Sequence, residues 1–421
     1  MRRHPVLRIV TLFVLAAAVL AAAFLWRGPL RADPEPVPPA GTPVQTPPSM
    51  SAEPEEPSEP SAPPEPEAPP EPEEVPEEEP EPTPEPEPED PLLTLLDSLT
   101  LEEKVGQLFL ARYPDAGALE LIASCHLGGY VLFARDFSGK SAQEVLDMTA
   151  ALQAASPIPL LLAVDEEGGT VCRVSSNPQL RAGKFPSPQT LLAAGGLEAL
   201  EADAKEKCAL LTDLGLNVNL APVCDVSTNP GNFIYARSMG LDAPGTAEAV
   251  RTIVAAMEGV GAVLKHFPGY GDNSDTHTGS AYDDRPYEQF VNGDFLPFRA
   301  GIDAGAGAVM VSHNVVRCMD PELPASLSGE VHRILREELA FDGVAITDDL
   351  VMNAIGNWFT PEEAAVQAVL AGNDLLASSE VSKQYAAVLA AAQDGRIPPE
   401  RIDEAVLRVL RWKQDLGLLS K

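Results

Sequence analysis

The stretch Gly261-Ala262-Val263-Leu264-Lys265-His266-Phe267 decides how the rest of the chain is read. Its first four residues are small or apolar with no polar alternation, the pattern of a parallel strand covered on both faces. It then runs into a lysine and a histidine. Burying charge is costly, so a buried strand with charged side chains at its end points to a polar pocket rather than to stability. Seven more runs of this kind are spaced along the chain: Gly106–Arg112, Gly129–Arg135, Pro159–Glu166, Val218–Val226, Ala306–Val315, Gly343–Asp349 and Asn373–Ser378. Polar residues at their ends are Arg112, Arg135, Asp165, Asp225, His313, Asp348 and Ser378. Helical candidates lie between them, at 141–155, 190–214, 246–259, 327–340, 361–371 and 382–394, and 400–416 follows Pro398-Pro399 as a closing helix. Eight strands alternating with helices predict an α/β fold, a (β/α)8 TIM barrel with its site at the C-terminal strand ends. An open doubly wound sheet is the competing arrangement.

Outside residues 91–421, the barrel domain, composition changes twice. Residues 1–31 hold an uncharged apolar run, 9–26, preceded by Arg2, Arg3 and Arg8. Its length nearly crosses a hydrocarbon core, and the basic flank stays cytoplasmic. The segment is therefore expected to be a transmembrane anchor that holds the rest of the protein outside the cytoplasm. The alternative is a cleaved signal peptide, for which Ala21-Ala22-Ala23 offers small residues. Residues 32–90 are almost entirely Pro, Glu, Ala, Ser and Thr and cannot build a core. They are expected to form a disordered acidic stalk, or alternatively a tail for a basic partner. As polyproline II the segment would reach on the order of 180 Å at ~3.1 Å per residue.

The net charge is −34. Set aside the five arginines of residues 1–31 and the 19 acids of residues 32–90, and −20 remains on the rest. Such a surface repels phosphates, so no nucleic-acid partner is expected. The five cysteines, Cys125, Cys172, Cys208, Cys224 and Cys318, include no CxxC pair. No metal site and no cofactor are expected from them, and small buried apolar positions account for them best.

Two segments carry the chemistry: Lys265-His266-Phe267-Pro268-Gly269-Tyr270-Gly271-Asp272-Asn273-Ser274-Asp275-Thr276-His277, and Ala345-Ile346-Thr347-Asp348-Asp349-Leu350-Val351-Met352. Two more accompany them: Asp165-Glu166-Glu167-Gly168-Gly169 with Arg173, and Asn219-Leu220-Ala221-Pro222-Val223-Cys224-Asp225 with Ala236-Arg237-Ser238. In this order and spacing the chain resembles glycoside hydrolase family 3, in its β-N-acetylhexosaminidase branch, from about residue 95 to 415. The resemblance implies a retaining exo-β-N-acetylglucosaminidase acting on peptidoglycan fragments through a glycosyl-aspartate intermediate, with a carbohydrate substrate as partner. It implies Asp348 as nucleophile, His277 as acid/base and Asp275 as the residue orienting its imidazole. It implies Asp165, Arg173, Arg237, Lys265 and His266 as ligands of the terminal sugar.

These roles suit the residue types. Retention needs a carboxylate on one face of the sugar and a proton donor on the other. Histidine titrates near working pH and can give and then take a proton. Other readings stay open at this level. Asp349 competes with Asp348, because adjacent strand residues face opposite ways. His266 also fits a satisfied core histidine, and His313 has no assigned role. Phosphorolysis, β-glucosidase activity and a non-catalytic wall-binding module are the rival functions. The chain departs from the family at Tyr270, where histidine is common, and at Thr170, where arginine is common.

Overall fold

A computed structural model of the chain describes residues 90–271, 281–356 and 358–420. The expected anchor, 1–31, and the acidic linker up to residue 89 lie outside the described residues. Among the described residues, no helix is long and apolar enough to cross a membrane. The described structure begins where the composition changes: Asp90 caps the helix Pro91–Ser98, its Oδ1 accepting from Leu92 N at 2.9 Å.

Eight parallel strands form one sheet: β1 (Phe109–Arg112), β2 (Gly129–Leu132), β3 (Leu161–Val164), β4 (Val218–Asn219), β5 (Gly261–Phe267), β6 (Ala308–Val311), β7 (Val344–Thr347) and β8 (Leu376–Ser378). Their order is β7-β6-β5-β4-β3-β2-β1-β8. The two ends of this order, β7 and β8, are next to each other, so the sheet curls into a nearly closed barrel rather than an open doubly wound sheet. One bridge, Ile346↔Leu375, joins them. Backbone bonds such as Thr347 N to Leu375 O at 3.1 Å and Leu375 N to Ala345 O at 3.1 Å cross the seam, and side chains reinforce it. Asp374 Oδ2 accepts from Ala345 N at 2.9 Å, and Thr347 Oγ1 accepts from Ala377 N at 3.0 Å. Asp374 is itself clamped by Arg336 at 2.5 Å, Arg401 at 2.8 Å and Arg408 at 3.4 Å.

Apart from β5, which fills its run Gly261–Phe267, the strands are shorter than the apolar runs that announce them. Gly106 and Gln107 belong to the helix Leu101–Gln107, fixed by a Thr100–Glu103 capping box. A helix follows every strand. Two of these, Ala118–Cys125 after β1 and Phe295–Asp303 after β5, were not expected from the sequence pattern. The barrel interior is apolar, with Leu110, Val131, Leu161, Val218, Leu220, Val263, Met310, Val344 and Ile346 packed together. The closing helix Pro399–Asp415 brings Trp412 into the same cluster. Its indole needs glycine around it. A Cβ at Gly307 would lie 2.1 Å from Trp412 Nε1, and one at Gly261 would lie 2.8 Å from the ring.

Candidate active site

The C-terminal strand ends surround a cavity of about 310 Å³. Asp165, Arg173, Arg237, Lys265, His266 and Asp348 all line it. Leu110, Val131, Leu220 and Met310 form its apolar lining and belong to the barrel interior.

The two polar residues of β5 have separate partners. Lys265 is buried, and its Nζ lies 2.7 Å from Asp165 Oδ1 and 2.6 Å from Glu167 Oε1. Arg237 grips the same Glu167 with Nε at 2.9 Å and Nη2 at 2.7 Å. Burial alone would raise the Glu167 carboxyl, but the Lys265 ammonium and Arg237 guanidinium overturn that and hold it well below the usual carboxylate range. Burial likewise works against the Lys265 ammonium, yet Asp165 and Glu167 outweigh it and raise its pKa. Both cations therefore stay charged in a largely desolvated wall.

His266 turns Nδ1 to Asp225 Oδ2 at 2.7 Å and Nε2 to Arg237 Nη2 at 3.3 Å. A guanidinium has only donors, so Nε2 must accept and Nδ1–H donates to Asp225. Asp225 also accepts from the backbone N–H of Tyr270 at 2.8 Å. His266 is thus a core-held histidine that nevertheless lines the cavity. The Lys265–His266 peptide is cis.

Asp348 follows the last residue of β7, and its Oδ1 accepts from Asp349 N at 2.8 Å. Asp349 is tied elsewhere. Its Oδ2 accepts from Ser379 Oγ and its Oδ1 from Val351 N at 3.2 Å. His313 does not line the cavity; it is buried behind β7, with Nε2 3.0 Å from Asp349 O and Nδ1 2.7 Å from Ser326 Oγ. Asp348 and Asp349 both line the cavity, but the Asp349 carboxylate is engaged by Ser379 and Val351, so with His313 it holds the strand end together.

Two acids carry more than the sequence motif alone indicated. Glu167 is the hub for both cations. Glu166 is fully buried, and its Oε2 accepts from Arg173 N at 2.9 Å and Val174 N at 2.7 Å. It therefore shapes the turn that carries Arg173, whose Nη2 lies 3.5 Å from Asp165. The available signal was the Asp165-x-Glu167 spacing, since residues two apart on an extended chain share a face. Arg135 sits in the short helix Ala134–Phe137, away from this cavity, and pairs with Asp115 at 3.0 Å. Thr170 is exposed at the tip of a hairpin. Tyr270 is buried edge-on to His266, with ring centroids 5.0 Å apart. Cys125, Cys172, Cys208 and Cys224 are buried free thiols and Cys318 is exposed. Asp275 and His277 lie outside the described residues.

A barrel with a cation-lined pocket and a strand-end carboxylate defines a class that the family comparison identifies. The model described as Glycosyl hydrolase family 3 N terminal domain matches residues 100–412, and the chain belongs to this family. Beta-hexosaminidase A of Pseudoalteromonas piscicida is 32% identical over 333 residues, covering 70% of this chain and 55% of that protein. The solved family 3 β-N-acetylglucosaminidase from Paenibacillus sp. str. FPU-7 is 37% identical with a TM-score of 0.72, covering 76% of this chain and 63% of that one. The β-N-acetylhexosaminidase from Beutenbergia cavernae DSM 12333 is 32% identical with a TM-score of 0.68, covering 75% of this chain and 99% of that one. The chain therefore spans little more than half of the first relative, but almost all of the third.

Proposed function

We propose that the protein is a retaining exo-β-N-acetylglucosaminidase that releases terminal β-linked N-acetylglucosamine. One observation carries the reading: Asp348 opens from the end of β7 onto the same cavity as Asp165, Lys265, Arg237 and His266. At about 310 Å³ the cavity is at the small end of ligand pockets, a size for one sugar rather than a chain. Fixed cations there supply directional donors for sugar hydroxyls and an amide carbonyl without competing for the proton being transferred, and the His266 ring, engaged by Asp225 and Arg237, holds the Arg237 guanidinium in place. The β-hexosaminidase relatives support the same substrate class.

In this mechanism the Asp348 carboxylate attacks the anomeric carbon while His277, oriented by Asp275, protonates the departing oxygen. The glycosyl-aspartate forms as the glycosidic bond breaks. His277 then takes a proton from water, which attacks the anomeric carbon and frees Asp348. Asp348→Asn should abolish phenol release from an aryl β-N-acetylglucosaminide, and the first product seen by NMR should be the β-anomer. Activity kept within a few fold would refute the nucleophile, and a first-formed α-anomer would refute retention.

Residues 1–31 would anchor this enzyme and residues 32–90 would space it from the membrane, with cell-wall fragments as its substrate. After an alkaline carbonate wash the full chain should stay in the membrane pellet. Its appearance in the supernatant would remove the anchor.

A further inference from the structure

We propose that Lys207, paired with Asp203, is a positioning residue for the sugar-binding wall: it fixes Glu167, and through Glu167 the cations Lys265 and Arg237. The inference rests on the reading of this cavity as a sugar site.

It starts from a gap in a hairpin. Glu166–Gly168 pairs antiparallel with Val171–Cys172, but the register jumps between Glu166 and Gly168. Glu166 faces Cys172 and Gly168 faces Val171, so Glu167 is the residue the bulge leaves over. A bulge re-aims a side chain at the expense of local pairing. Here it points the Glu167 carboxylate at Lys265 and Arg237 and removes its backbone from the ladder. Five strand residues cannot by themselves hold that geometry.

Lys207 supplies the missing partner. Its Nζ donates to Glu167 O at 2.8 Å and lies 2.6 Å from Asp203 Oδ2. The ammonium also sits 5.3 Å from the centre of the Phe185 ring. Its three donors are thus directed at a carboxylate, a carbonyl and an aromatic face. The hairpin rests directly on it: a Cβ added at Gly168 would lie 3.4 Å from Lys207 Nζ. Asp203 and Lys207 sit one turn apart on the part of the helix Pro188–Asp213 that follows its kink at Gly195-Gly196, so the support comes from a helix rather than a loop. Both are buried.

Stability alone is a poor explanation for the pair. A buried ion pair is often no better than apolar residues of the same volume. What the pair does that apolar residues cannot is donate to the one carbonyl the bulge orphans. Glu167, Asp203, Lys207, Asn219 and Arg237 also line a second cavity of about 30 Å³, room for about one water behind the wall.

The test replaces both charges, so that no lone ion is buried: Asp203→Leu with Lys207→Met, alone and combined with Glu167→Gln. KM for an aryl β-N-acetylglucosaminide should rise about tenfold in the pair variant, with kcat within about twofold. On the Glu167→Gln background the same replacement should change KM less than twofold, because its route to the cations is already cut. Equal effects on both backgrounds would overturn the proposal, as would an unchanged KM. A pair variant that melts below the assay temperature would also overturn it, by making the pair a scaffold element. Failure of the sugar-site reading itself would show separately, as wild-type protein with no turnover of the glycoside.

Discussion

Glu167 lies two positions from Asp165 and Asp349 one from Asp348, residues the sequence singles out, and they mark what a motif can and cannot say. Asp165, Lys265, His266 and Asp348 stood out as polar residues at strand ends and Arg237 through the family resemblance, and all five line one cavity. Glu167 offered only its spacing, two residues on from Asp165, which did not tell that it would hold both Lys265 and Arg237. Glu167→Gln should raise KM ten- to a hundredfold, the scale of a lost charge-assisted bond. Steady-state kinetics checks this, and an unchanged KM would deny it the hub role. Asp349→Asn should keep kcat within about tenfold and cost about 1–2 kcal/mol of stability through Ser379 and Val351. Kinetics and urea unfolding on one preparation separate the two effects; a loss of turnover as deep as that of Asp348→Asn would reverse the assignment.

At the scale of elements, the eight apolar runs marked eight strands in the right order, and the longer helices stood close to their periodic segments. Boundaries failed where capping outweighed apolarity, as at Gly106–Gln107, and where helices were short. The seam between β7 and β8 was invisible, because its backbone bonds are few and the side chains of Asp374 and Thr347 reinforce them from positions that carry no strand signal. In sequence Asp374 looks like an ordinary acid after an asparagine. In the fold it is fully buried beneath three arginines and joins β7 to β8. Asp374→Asn should cost about 3–5 kcal/mol, the penalty for breaking one side of a buried ion cluster. Urea unfolding measures it; a loss under about 1 kcal/mol would mean that the backbone bridge alone closes the seam.

Across the whole molecule, the closing helix carries an unusual charge. Lys413 is fully buried, its Nζ bonded to Gln107 Oε1 at 2.7 Å, and burial pulls its pKa down to about 7. In the unfolded chain the amine titrates near the ordinary value of about 10.4. Below about pH 7 the folded state must carry the charge, and the penalty is complete. Between about 7 and 10.4 only the unfolded state is protonated, so this group's contribution to stability rises with pH. Lys413→Met should therefore stabilise the protein at pH 7 by on the order of 2 kcal/mol, with an advantage that shrinks toward pH 10. Urea midpoints for both proteins at pH 7 and 9.5 test this; a pH-independent difference would contradict it.

The neighbouring Trp412 has a different consequence. With its indole seated against Gly261 and Gly307, the barrel is stoppered at its lower end. The cavity at the strand ends is then a cul-de-sac whose floor is the barrel's own hydrocarbon. On the proposed reading a glycan could offer it only its tip, each visit would trim one residue, and the freed sugar would back out by the door it entered.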